Sequence, residues 1–112
     1  MKKNNIADTQ LGFAIEEGIG NSYVIDYSPD SLECLARLEK SEPSAFKKAV
    51  HLIEDLKLHP RMDGLGHPEP LKGEPEGCWS RRITQKHRLV YQIFDETKVI
   101  LVLRAYGHYT DK

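Results

Sequence analysis

Four short stretches of this chain carry the side chains best suited to chemistry. Glu69 stands between two prolines in Gly66-His67-Pro68-Glu69-Pro70-Leu71-Lys72. Arginines cluster in Trp79-Ser80-Arg81-Arg82-Ile83-Thr84 and in His87-Arg88-Leu89-Val90-Tyr91, and Gly107-His108-Tyr109 lies near the end. A carboxylate, guanidinium groups and an imidazole form the set that cleaves an RNA phosphodiester. They supply a base for the 2′-hydroxyl, positive charge for the phosphate and an acid for the departing oxygen.

Each feature has a plain alternative. Pro68 fixes its own φ and Pro70 holds Glu69 extended, so the carboxylate is preorganised; a solvated loop acid would fit the same motif. In an extended Trp79–Thr84 segment, Trp79, Arg81 and Ile83 share one face and Ser80, Arg82 and Thr84 the other. In the next segment Arg88 shares a face with Val90, Gln92 and Phe94. Arginines on adjacent strands clamp phosphate with a planar fork, and they also discourage edge-to-edge aggregation. Histidine is a side chain that can give a proton near neutral pH, which makes His108 a candidate acid; Gly107 frees its backbone, and Tyr106 and Tyr109 beside it could stack on a base; terminal residues also commonly fray. His51, His59, His67 and His87 have no metal-site spacing with an acid between them, so no metal or cofactor is expected.

The chain has 112 residues and a formal charge of -1, the size of one domain with a modest core. Whole-chain charge argues against nucleic acid, but its distribution does not. Residues 1–46 carry a net -4 and residues 47–112 a net +3, with Lys72, Arg81, Arg82, Lys86 and Arg88 close together in sequence. A local basic patch is the relevant footprint for phosphate. No apolar run approaches the roughly 18 residues of a membrane span, and no apolar block follows the basic start as in a signal peptide. A soluble cytoplasmic protein is expected, with Cys34 and Cys78 as free thiols.

The elements that must position these residues follow from periodicity. Residues 1–21 show no sustained period and are read as an extension, flexible or ordered by a partner, ahead of a domain spanning 22–112. Ser22–Tyr27 alternates like a strand. Ser28-Pro29-Asp30 is a helix start, with an apolar stripe from Leu32 to Leu38. Ser41-Glu42-Pro43 starts a second helix, whose Phe46, Ala49, Val50, Ile53 and Leu56 recur at helical steps until His59-Pro60 stops it. Arg61–Gly77 is a Gly- and Pro-rich loop, longer than the roughly 12–15 residues at which loops tend to be functional. Strands are expected at Trp79–Thr84, His87–Phe94 and Lys98–Tyr106. The fold class is α+β, ordered β-α-α-β-β-β, with both N-terminal helices on one face of a small antiparallel sheet and the bare face free for function.

Taken in order, the Pro-Glu-Pro-Leu-Lys, Trp-Ser-Arg-Arg-Ile, His-Arg-Leu-Val-Tyr and closing His-Tyr motifs resemble the YoeB (Txe/YoeB) branch of the RelE-like bacterial toxins. The resemblance is dense over residues 60–109, diffuse over 22–59 and absent from 1–21. It implies a RelE-like fold and a type II toxin that cleaves mRNA in the ribosomal A site without a metal, inhibiting translation. It implies that Glu69 is the base, Arg88 the phosphate ligand, and His108 with Tyr109 the terminal pair. Lys72 and Arg82, with Arg81 beside them, fall on the substrate-binding side. The implied partners are a cognate antitoxin, the ribosome with its mRNA, operator DNA only through the antitoxin complex, and a possible second copy. The leader and the Thr110-Asp111-Lys112 tail depart from the family pattern. Two other readings fit the residues: a ribonuclease indifferent to ribosomes, and a non-catalytic module that only binds an antitoxin or operator complex.

Overall fold

The computed structural model describes residues 22–106. Seven elements follow one another: β1 (Val24–Tyr27), α1 (Pro29–Ser41), α2 (Pro43–Leu56), β2 (Glu69–Pro70), β3 (Cys78–Arg82), β4 (Arg88–Phe94) and β5 (Val99–Arg104). The strands form one sheet in the order β1-β5-β4-β3-β2.

Helix α1 starts where its sequence directs. The Ser31 N–H donates to Ser28 Oγ at 3.0 Å, and Pro29 occupies the first turn, where a missing N–H does no harm. Helix α2 buries Ala45, Ala49, Leu52, Ile53 and Leu56, one stripe at three- and four-residue steps. That stripe meets Leu89, Tyr91, Ile100 and Val102 from the central strands. Each buried Leu or Ile contributes about 1.5–3 kcal/mol, so this seam is what binds the helical layer to the sheet.

The architecture is the expected α+β arrangement, with two refinements. The sheet is mixed: β3, β4 and β5 are antiparallel neighbours, but β1 runs parallel to β5, with Val24 opposite Val99. Parallel neighbours need a long crossover, and the helical pair lies in the connection that leaves β1. The second refinement lies inside the long loop, where Glu69 and Pro70 form a short edge strand against β3.

Glu42 joins the helices and faces β4. Its Oε2 lies 2.9 Å from His87 Nε2, and His87 is buried. The hydrogen bond with His87 holds the Glu42 carboxyl below the usual carboxylate range, against the opposing effect of desolvation. His87 also packs on Tyr106, with ring centroids 4.5 Å apart, and the Arg37 guanidinium lies 4.8 Å from the Tyr106 ring centre. Among the described residues no helix is long and apolar enough to cross a membrane.

Candidate active site on the bare sheet face

Alternation along β3 and β4 sets the site. In β3, Arg81 points toward α2, so Ser80 and Arg82 point to the opposite face, which carries no helix among the described residues. The register pairs Arg82 with Arg88 and Ser80 with Val90, and on the other side Ser80 with Glu69. Directly opposed residues present their side chains on one face. Glu69, Ser80, Arg82 and Arg88 therefore share it, although 19 positions separate Glu69 from Arg88 in sequence.

The local backbone explains how a loop glutamate reaches this face. Gly66 and His67 both have left-handed φ values, 80° and 54°. A side chain on Gly66 would meet Leu52 and the Arg82 carbonyl, so glycine is required by space as well as by φ. Past this turn, the Arg82 N–H donates to the Gly66 carbonyl at 2.6 Å and the Leu71 N–H to the Cys78 carbonyl at 3.0 Å. These bonds bracket Glu69 and dock the Pro-Glu-Pro segment on the sheet edge.

The central contact is between Glu69 and Arg88. Arg88 Nη2 donates to Glu69 Oε1 at 2.8 Å. The Arg88 side chain is 10% exposed and that of Glu69 62%. The guanidinium is thus held while the carboxylate stays open to solvent. Arg82 is exposed and Lys72 is exposed near this pair in sequence and register. A carboxylate able to accept a proton and a guanidinium able to neutralise a phosphate lie within one contact of each other.

Arg81 does not join them. It is fully buried on the helix face, where Nη1 donates to Asp55 Oδ2 at 2.7 Å and Nε to Tyr91 Oη at 3.0 Å. Nη2 donates to the carbonyls of His59 and Arg61. A side chain on Gly64 would run into this guanidinium. The substrate-binding expectation for Arg81 is therefore corrected: its donors tie the 59–61 loop and α2 to the sheet. Tyr106, read from sequence as a candidate for base stacking, is likewise engaged by His87 and Arg37. His108 and Tyr109 lie outside the described residues.

The buried pair makes two predictions. Removing Arg81 takes its donors from Asp55, two carbonyls and the Tyr91 hydroxyl, and breaking a buried pair costs about 3–5 kcal/mol. Arg81→Met should lower the urea midpoint by a corresponding amount; reduced cleavage with an unchanged midpoint would return Arg81 to the substrate site. Burial by itself would raise the Asp55 carboxyl, but the Leu65 N–H and Arg81 outweigh it and hold the group below the usual range. A folded value below the unfolded one contributes stability that is complete above roughly pH 4 and is lost as pH falls through the folded value. Asp55→Asn should thus destabilise the protein at neutral pH and flatten part of the acid limb of a pH-stability curve followed by circular dichroism.

A second cleft, lined by Arg61, Gly77, Phe94 and Asp95 among others, sits at the far end of β4 from Arg88. Tyr23 and Arg61 both bond Asp95 there, at 2.7 Å, and hold its carboxyl below the usual range. It takes up none of the residues singled out for chemistry.

Solved structures share this arrangement of two helices on one face of a small sheet. The YoeB dimer from Staphylococcus aureus has this fold, with a TM-score of 0.70 at 31% identity, covering 79% of this chain and 99% of that one. The heterotetrameric YoeB–YefM toxin–antitoxin complex from the same organism matches at a TM-score of 0.67 and 31% identity, covering 78% and 98%. The Toxin YoeB of Escherichia coli K12 is 38% identical over 78 residues, 70% of this chain and 92% of that one. The family model of YoeB-like toxins of bacterial type II toxin–antitoxin systems matches residues 27–109, and the chain belongs to that family.

Proposed function

We propose that this toxin is a metal-independent endoribonuclease that cuts mRNA in the ribosomal A site, in the cytoplasm. The observation that carries the reading is the 2.8 Å contact between Glu69 and Arg88 on the bare sheet face. Glu69 takes the proton from a ribose 2′-hydroxyl, and the oxygen attacks the adjacent phosphorus. Arg88 neutralises charge growing on the non-bridging oxygens. The bond from phosphorus to the 5′-oxygen breaks, and His108 gives that oxygen its proton. The products are a 2′,3′-cyclic phosphate and a 5′-hydroxyl. Arg88 supplies the positive charge that a metal would otherwise bring, so the scheme needs none.

Lys72 and Arg82 hold the RNA backbone in this scheme, and Tyr109 acts with His108 in the cleavage. Residues 1–21 act as an extension to a toxin domain of residues 22–112. An antitoxin like the YefM of the Staphylococcus complex covers the basic face and folds as it binds; operator DNA is engaged only through that complex. Pairing of two copies, as in the Staphylococcus dimer, is compatible with the same assignment. DNA is not a substrate, because it lacks the attacking hydroxyl.

The test is primer-extension mapping of mRNA ends in a translating extract, with and without a co-expressed neighbouring gene product. Cuts confined to translated codons and abolished by the antitoxin are expected. Equal cutting of naked RNA would instead favour a ribonuclease indifferent to ribosomes, and no cutting under either condition would favour a module that only binds.

A further inference from the structure

Arg88 has two oxygen partners of opposite character. Glu69 is solvent-exposed and charged; Ser80 is fully buried and neutral. Ser80 Oγ accepts from Arg88 Nη2 at 3.0 Å and from Nε at 3.3 Å, gripping one edge of the guanidinium. Arg88 Nη1 makes no hydrogen bond among the described residues. The strand register places Ser80 between Glu69 and Val90, and Arg88, which is opposite Arg82, reaches diagonally across the ladder to its hydroxyl.

We propose that Ser80 is a positioning residue for Arg88 in the cleavage reaction. This rests on the assignment of Arg88 as the phosphate ligand. When RNA enters, its phosphate competes with Glu69 for the Arg88 guanidinium. A guanidinium bound to Glu69 alone would then swing with its long side chain. Ser80 keeps the Nε edge fixed through that exchange, leaving the outer edge, Nη1 and the Nη2 hydrogen shed by Glu69, aimed at phosphate. A neutral anchor suits this role, because a second carboxylate would hold Arg88 as tightly but would repel the incoming phosphate.

The test is a double-mutant cycle in single-turnover cleavage of ribosome-bound mRNA. Ser80→Ala should slow the saturated rate about 10- to 100-fold, the effect of losing a hydrogen bond to a charged group, with little change in half-saturation. In an Arg88→Ala background, the same substitution should change nothing further. Equal losses in both backgrounds, or no loss in either, overturn the proposal. Cleavage by Arg88→Ala at the unmodified rate would remove the assignment beneath it as well. An activity-free readout separates anchoring from folding. The Arg88 Nε–H signal in nitrogen-15 spectra should stay protected from exchange in Glu69→Gln and lose protection in Ser80→Ala. Protection that disappears in Glu69→Gln would show that the carboxylate, not the hydroxyl, holds the arginine.

Discussion

Glu69→Gln is expected to slow single-turnover cleavage by roughly 10²–10⁴-fold, the contribution of one positioned base, while leaving the fold intact. The two halves of this expectation have separate causes. Glutamine keeps the length and the hydrogen-bonding oxygen, so Arg88 retains an acceptor, but it cannot take up a proton at neutral pH. The stability cost is small because the Glu69 side chain is 62% exposed. An ion pair with so wet a partner contributes about 0–1 kcal/mol. The segment is docked by backbone bonds from Arg82 to Gly66 and from Leu71 to Cys78, which the substitution does not touch. Thermal melts should therefore overlay while rates diverge. A loss of rate accompanied by an equal fractional loss of folded protein would mean that Glu69 matters only for structure.

Arg88→Ala should reduce cleavage by about 10²–10³-fold, as removal of a transition-state charge stabiliser does. Arg88→Lys should recover little of it. Arg88 spans Ser80 and Glu69 with a planar fork, and a lysine ammonium cannot hold the serine along one edge and present a second edge to phosphate. Because the Arg88 side chain is mostly buried, its removal also strands the Ser80 hydroxyl, and a modest fall in stability accompanies the catalytic loss. In cells, growth arrest on expression of the unaltered chain should disappear with Arg88→Ala. Arrest that persists would point to inhibition by binding rather than by cutting.

Much of this arrangement is legible in the chain. The Ser28-Pro29 start of α1 depends on local capping and appears as expected; the 3.6-residue period of α2 holds at Ala49, Ile53 and Leu56, but the buried stripe is turned toward Ala45 and Leu52, leaving Val50 exposed. The period of two places Ser80 and Arg82 on one face and Arg81 with Trp79 and Ile83 on the other. Followed through, that alternation already consigns Arg81 to the side of the core, because Ile83 is the residue that needs burying. Sequence charge instead groups Arg81 with Arg82, and charge says nothing of which face a strand buries.

What stays hidden depends on distant partners. The edge strand at Glu69–Pro70 is held by β3, and two residues carry no periodic signal of their own. Gln85-Lys86 has weak turn chemistry, but Thr84 Oγ1 accepts the N–H groups of Lys86 and His87 at 3.1 and 3.2 Å and closes the hairpin. His87 opens the His-Arg-Leu-Val-Tyr motif, yet its bond to Glu42 spans 45 positions that no local pattern connects. The parallel pairing of β1 with β5 is likewise a matter of how the crossover lands. Ser80 stands within a motif, yet its role appears only once Arg88 is seen across the ladder.

The most direct measurement uses a ribosome-bound message in which one nucleotide, immediately 5′ of the expected cut, lacks its 2′-hydroxyl. If a carboxylate and a guanidinium act together on an attacking ribose oxygen, that bond stays intact while an unsubstituted message is cut to a 2′,3′-cyclic phosphate end. Cleavage of the deoxy-substituted bond at the unsubstituted rate would contradict it, since the proton that Glu69 is assigned to remove would not exist.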